Sequence, residues 1–292
     1  MPRLGAHMSI AGGVDRAIQR GHSIGCEAIQ IFTKSNNQWR AAPLTDETLE
    51  RFHANQRATG IAPIVGHDAY LINLASPNPE LWRKSVDAFV DEMERAGRMG
   101  LPYLVTHPGA HMGAGEEAGL RRVAQALDEI HERTAHISTM ILLETTAGAG
   151  SILGVSFEQL ARIIARTRHP ERIGICFDTS HAFAAGYDLR TPETYAATFD
   201  AFDRILGLHR LRVFHLNDSK RELGSRADRH EHIGQGFLGL EAFRLLVNDP
   251  RFADRPMILE TPKGPDMAED VENLRVLRAL MGDSSPLRGG EG

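Results

Sequence analysis

Between Ile64 and His107 the chain runs Ile64-Val-Gly-His67, Asn78-Pro79, then apolar residues at Val86, Phe89, Val90, Met93 and Ala96, then Tyr103-Leu-Val-Thr-His107. The two outer runs are short, apolar or β-branched, and each ends in histidine. The middle residues fall at i, i+3, i+4, i+7 and i+10, which is one face of an α-helix. Asn78 is a good N-cap and Pro79 fits the first helical turn, so the helix also has its start signal. The unit is strand, helix, strand, and it sets the reading of everything around it.

Moving outward, the same alternation extends from the first residues to about Thr261. Eight strands are expected, at Leu4–His7, Ala28–Thr33, Ile64–His67, Tyr103–His107, Met140–Glu144, Gly174–Asp178, Val213–Leu216 and Met257–Glu260. Thr191-Pro192 opens another helix, and Ser156 with Gln159 has capping-box spacing. Eight strands alternating with helices over one domain length is the α/β pattern of a (β/α)8 TIM barrel. A doubly wound open sheet alternates too, but the turn at Ala11, Gly12 and Gly13 lacks the G-x-G-x-x-G spacing that such a sheet places after its first strand. No Pro/Gly/Ser-rich linker divides the chain. A single domain over residues 1–282 is therefore expected, followed by a disordered tail at 283–292.

A length of 292 residues suits one barrel, and 42% hydrophobic with 24% charged residues is a globular composition, which excludes general disorder. No apolar run approaches the roughly 18 residues of a membrane span. The N-terminus lacks the apolar stretch of a secretory signal, so a cytoplasmic location is expected. Cys26 and Cys176 sit in apolar surroundings and read as buried reduced thiols. The formal charge of −5 argues against a polyanionic partner unless bound cations change the sum.

The most informative feature is what ends the strands. The third to eighth expected strands carry His67, His107, Glu144, Asp178, His215 and Glu260 at their last residue, or in the seventh at the residue before it, separated by 40, 37, 34, 37 and 45 residues. The carboxyl ends of barrel strands open onto one face, so six scattered residues would converge there. A lone histidine at a strand end is usually a hydrogen-bonding residue; six consecutive strands ending in ligand types call for a metal. His181 follows Asp178 by three residues, and Asp228 and His230 form an Asp-x-His pair after the seventh strand. Imidazole mixed with carboxylate suits zinc or another first-row ion, and the lack of cysteine ligands suits a catalytic centre. Nine ligands would hold two or three ions, the arrangement that clamps attacking and leaving oxygens of a phosphoester.

Other histidines carry less. His7 faces the same mouth as a supporting residue, whereas His111, His131 and His136 fall in loops or helices and are read as solvated. Walker A, G-x-S-x-G and H-E-x-x-H sequences are absent from the chain. Basic and stacking residues cluster in loops of the expected mouth: Asn37, Gln38, Trp39 and Arg40 after the second strand, Tyr70 and Leu71 after the third, and Lys220, Arg226 and Arg229 after the seventh. Such residues meet phosphates and stack on or wedge between bases. Trp39 as a cap on the core and the charges as a solvated rim are equally good readings of each residue singly.

Gly5-Ala-His-Met-Ser9, Phe32-Thr-Lys34, Gln38-Trp-Arg40, His67-Asp-Ala-Tyr-Leu-Ile-Asn-Leu74, Asp178-Thr-Ser-His-Ala-Phe-Ala-Ala-Gly-Tyr187, His215-Leu-Asn-Asp218 and Gly224-Ser-Arg-Ala-Asp-Arg-His230 closely resemble the endonuclease IV family of apurinic/apyrimidinic endonucleases. The resemblance spans about residues 3–262. It implies a TIM barrel with three zinc ions, manganese or iron being possible at one of them. His67 and His107 would hold one ion with Glu144, which bridges to a second held by Asp178, His215 and Glu260; His181, Asp228 and His230 would hold the third. It further implies a zinc-dependent hydrolase acting as a monomer in base excision repair, with Glu144 and Glu260 in catalytic roles. The substrate would be duplex DNA with abasic sites, cut 5′ to the lesion to leave a 3′-hydroxyl and a 5′-deoxyribose phosphate. Asn37 departs from the family pattern, standing where its best-known members carry an arginine that enters the base stack. Two other activities fit parts of the pattern, a metal-dependent sugar isomerase or epimerase on the related barrel and a nucleic-acid binder braced by metal. The cluster of His181, Asp228 and His230 discriminates against the isomerase, which has no need of it.

Overall fold

In every barrel strand but the first, an apolar residue and a polar residue two positions later point into the same interior, because side chains alternate with period two. The computed structural model describes residues 1–282; the expected tail at 283–292 lies outside the described residues. The first half of the chain comprises β1 (Arg3–His7), α1 (Val14–Ser23), β2 (Ala28–Phe32), α2 (Asp46–Thr59), β3 (Ile64–His67), α3 (Pro79–Met99), β4 (Tyr103–Thr106), α4 (Glu116–Arg133) and β5 (Met140–Glu144). The second half adds α5 (Phe157–Ile164), β6 (Ile173–Asp178), α6 (Thr179–Ala185), α7 (Pro192–Leu206), β7 (Leu211–Leu216), a hairpin of β8 (Asp218–Ser219) and β9 (His230–Glu231), then α8 (Gly239–Val247), β10 (Pro256–Leu259) and α9 (Ala268–Leu280). The eight long strands pair in parallel and close in the order β1, β10, β7, β6, β5, β4, β3, β2. This is the expected barrel, with strand ends shifted by one or two residues.

Inside it, Ala28, Val65, Val105, Leu142, Cys176, Val213 and Ile258 form a separate, fully buried apolar plug. Two residues further along those same strands stand Gln30, His67, His107, Glu144, Asp178, His215 and Glu260. The chemistry therefore occupies one tier, resting directly on the plug. In β1 the inward positions are Gly5 and His7. A Cβ at Gly5 would lie 1.7 Å from the Ala28 carbonyl oxygen, so only glycine lets β1 close against β2.

The outer core lies between barrel and helices. Val86, Phe89, Met93 and Ala96 of α3 are buried, as their spacing predicts, and each fully buried Val, Phe or Met contributes about 1.5–3 kcal/mol. Asn78 accepts the Leu81 N–H at 2.9 Å, and Thr191 and Thr194 make a reciprocal capping box on α7. Ser156 accepts the Gln159 N–H at 3.2 Å, but the Gln159 side-chain Oε1 turns away to accept the N–H groups of Gly154 and Val155, so this box is half made. Both cysteines are free and buried, and burial pushes each thiol up to about 12. His131 corrects the sequence reading. It continues the buried stripe Leu120, Val123, Ala124 and Leu127 of α4, and burial, with Arg172 and His169 nearby, lowers its pKa to about 4. Among the described residues no helix is long and apolar enough to cross a membrane.

Candidate metal centre

The tier brings its ligand types into three groups whose donor atoms lie within 4.8 Å of one another: His67, His107 and Glu144; Glu144, Asp178, His215 and Glu260; and Asp178, His181 and His230. Glu144 belongs to the first two, Asp178 to the last two. Asp228 completes the third, with Oδ2 3.2 Å from His181 Nε2 and Oδ1 3.3 Å from His230 Nε2. All nine residues singled out in the sequence thus meet at the carboxyl ends of the strands. The one difference in grouping is that Asp178 borders two groups.

Local structure explains the placement. The polypeptide passes from β6 to α6 without a loop, so Asp178 is the N-cap of α6, and its Oδ1 accepts the His181 N–H at 2.7 Å. The i, i+3 spacing then sets both side chains on one side of the first turn. Asp228 and His230 are delivered by the β8–β9 hairpin, which pairs Ser219 with His230. The buried Asp218 carboxylate fixes the hairpin base by accepting N–H groups of Ser219, Gly234 and Leu238 at 2.7, 3.0 and 2.9 Å.

Four of the five imidazoles, all but His107, are held by one nitrogen, leaving the other for the centre. Nδ1 of His67, His181 and His230 faces the backbone carbonyl oxygens of Asp68, Thr145 and Glu260 at 2.8, 3.0 and 3.1 Å. A protonated Nδ1 donating to each carbonyl turns the Nε2 lone pair inward, as metal-ligating histidines do. His215 is reversed: its Nε2 lies 2.8 Å from Gln30 Oε1, and its Nδ1 faces Glu144 and Glu260, both at 3.2 Å. Sequence reasoning missed Gln30, although an amide inside Ala28-Ile-Gln-Ile-Phe32 was the available signal. Asn217 was missed as well; its Nδ2 donates to Asp178 Oδ2 at 2.7 Å and its Oδ1 accepts the Glu260 N–H at 3.0 Å. His7 takes the supporting place expected of it, 3.2 Å from Glu260 Oε1.

Charge in the tier is concentrated. Burial alone would lower the His67 pKa, yet the carboxylates of Glu144, Asp68 and Glu260 raise it to about 9. His181 and His215 are likewise raised against burial, the first by Asp178, Asp228 and Glu144, the second by Cys176, Glu260 and Glu144. Burial opposes ionisation of Glu144, but His215, His107 and His181 hold it well below the usual carboxylate range. The imidazoles of His181 and His230 hold Asp228 at about 2. The centre thus calls for positive charge. Glu144 Oε2 and His230 Nε2 are buried without a hydrogen-bond partner, and donors of mixed imidazole and carboxylate type, left unsatisfied and facing one another, fit first-row divalent ions.

A cleft of about 680 Å³ opens above the centre, lined by His7, Phe32, Ser35, Tyr70, His230 and Glu260 among others. Tyr70 is 60% exposed, with its ring 5.3 Å from Phe32 and 5.8 Å from His67. Leu71 beside it is half-buried, while Asn37, Gln38, Arg40, Lys220, Arg226 and Arg229 are exposed on their loops. Trp39 is packed against the core, with Lys84 Nζ 4.2 Å from its ring centroid. That packing corresponds to Trp39 as a cap on the core.

The xylose isomerase-like TIM barrel family matches residues 18–280, so the chain is one of these barrels. D-Psicose 3-epimerase from Clostridium cellulolyticum shares the fold, with a TM-score of 0.64 at 12% identity over 97% of this chain and 93% of the epimerase. Much nearer is the probable endonuclease 4 of Chloroflexus aggregans, 58% identical over 281 residues that make up 96% of this chain and 98% of the relative. Endonuclease IV from Thermus thermophilus superposes with a TM-score of 0.85 at 43% identity, covering 96% of this chain and 98% of that one. The chain belongs to the endonuclease IV family.

Proposed function

We propose that the chain is a metal-dependent endonuclease that hydrolyses the phosphodiester 5′ to abasic sites in duplex DNA, acting as a cytoplasmic monomer in base excision repair. The observation that carries this reading is the joining of the His181, Asp228 and His230 group to the two groups that share Glu144, in a chain of the endonuclease IV family. We infer three ions, zinc at each, with manganese or iron an alternative at one. Ions bound there would supply Lewis-acid charge for a phosphate and a water acidic enough to attack near neutral pH.

The chain's own residues do the rest. Glu144 and Asp178, each reaching two groups, would be shared between the ions held there, and Glu260 would complete the middle group. Gln30 and Asn217 hold His215 and Asp178 in orientation, as outer hydrogen bonds do for metal ligands. Lys220, Arg226 and Arg229 on the hairpin loop, and Arg40 on the loop after β2, are exposed to meet phosphates. Asn37, Gln38, Tyr70 and Leu71 would contact the opened duplex. Trp39 orders its loop from beneath, and extrusion of the abasic nucleotide into the cleft follows the logic of base flipping.

The test uses a duplex carrying one tetrahydrofuran abasic analogue, which cannot undergo β-elimination. The expected result is a nick 5′ to the analogue with an extendable 3′-hydroxyl, abolished by chelation and restored by zinc. Absence of incision by protein of verified metal content would turn the reading toward a sugar isomerase. In the same assay Tyr70→Ala is expected to raise KM about tenfold, since stacking on one base contributes ~1–3 kcal/mol. An unchanged KM would remove Tyr70 from the contact surface.

A further inference from the structure

One side of α3 carries Ala88, Asp91, Glu92 and Arg95 at i, i+3, i+4 and i+7, and this stripe faces two loops at once. Arg95 donates from Nε to the Thr33 carbonyl and from Nη1 to the Ala42 carbonyl, both at 2.9 Å. Arg98, one turn on, donates to the Leu44 carbonyl at 2.6 Å. From the loop itself the buried Lys34 reaches back, its Nζ 2.8 Å from Asp91 Oδ2 and 3.2 Å from the Trp39 carbonyl. Glu92 makes the crossing. Its Oε2 accepts the Thr33 hydroxyl, its Oε1 lies 3.6 Å from Lys34 Nζ, and the same Oε1 accepts the Ala69 N–H at 3.2 Å. Ala69 directly precedes Tyr70. The loop bearing Gln38 and Trp39 and the loop bearing Tyr70 and Leu71 are therefore joined through one buried carboxylate.

We propose that the Lys34–Glu92 pair is a brace that fixes these two loops relative to each other, and so sets how tightly an abasic duplex is gripped. Lys34 and Glu92 are positioning residues, and the assignment rests on the endonuclease reading above. Both side chains are wholly buried, and replacing a buried ion pair by apolar residues is often neutral or stabilising. Stability alone therefore gives little reason for charge at this place. What the pair supplies is direction: one ammonium and one carboxylate satisfy backbone groups of loops that enter from different strands. A surface ordered before binding spares the duplex the entropy of ordering it.

The experiment uses metal-loaded protein with Trp82→Phe, which leaves Trp39 as the sole tryptophan. In Glu92→Gln the charge pairing is lost, and acrylamide quenching of Trp39 is expected to rise about twofold. On the tetrahydrofuran duplex KM is expected to rise roughly tenfold with kcat within about twofold, the signature of lost binding with the chemistry untouched. The double variant Lys34→Met with Glu92→Gln removes both charges, so it recovers thermal stability if Glu92→Gln is unstable, yet it is expected to keep the raised quenching and KM. Wild-type quenching and KM in the double variant would overturn the brace. If the parent protein fails to incise, the endonuclease reading falls instead, and Trp39 quenching still decides whether the loops are joined.

Discussion

Glu144→Gln is expected to lower incision of an abasic duplex about a thousandfold while leaving the barrel folded, taking the several kcal/mol of metal charge stabilisation as the quantity lost. The residue stands at the centre of the tier. One oxygen faces His181 and His215 at 3.1 and 3.2 Å, and the other faces His67 and His107 at 3.4 and 3.2 Å. Glutamine keeps the volume and one acceptor oxygen but removes the charge that serves both groups. The core is untouched, because the apolar plug below contacts the residue two positions earlier, Leu142. The measurements are kcat on the tetrahydrofuran duplex and metal content by elemental analysis. Wild-type turnover with full metal content would remove Glu144 from the bridging role.

The second large effect joins metal to pH. In metal-free protein His67, His181 and His215 have raised pKa values, so their protonation stabilises the fold. That contribution is complete below the unfolded value of about 6.5 and is lost as pH rises through the folded value, about 9 for His67. Metal needs the neutral imidazoles, so its binding releases protons and tightens with pH. The gap in thermal midpoint between zinc-loaded and chelated protein should therefore widen from pH 6.5 to pH 9. A ligand at about a thousand times its Kd adds about 4 kcal/mol, roughly 7 °C for a chain of this size. Scanning calorimetry at the two pH values checks it, and a gap that stays constant or narrows contradicts the ligation of these histidines.

Much of the centre was legible because a barrel converts sequence spacing into spatial convergence. His67, His107, Glu144, Asp178, His215 and Glu260 each end a short apolar run, and in a closed parallel sheet that position has only one place to be. What the sequence hid depended on pairing between distant segments. β8 and β9 are two residues long, too short for any periodicity, yet their hairpin is what carries Asp228 and His230 to the centre. The sharing of Asp178 follows from its place as the N-cap of α6, which fixes His181 beside it. Gln30 and Asn217 are amides and carry no ligand signature; their role appears only when a ring nitrogen or carboxylate faces them. His131 was misread because a histidine on an apolar helix stripe looks, by composition, like any polar residue. Lys34 and Glu92 come from a loop and a helix far apart in the chain, and nothing local in either pairs them.

The tier rests on a floor. Beneath it Ala28, Val65, Val105, Leu142, Cys176, Val213 and Ile258 fill the bore with side chains that are wholly buried, which closes the centre from below. Water, protons and a chelator would then enter from above, through the cleft lined by Phe32, Tyr70, His230 and Glu260. A duplex lying across that cleft, as the proposed function has it, would cork it, and the contents would be exchanged in the intervals between one duplex and the next.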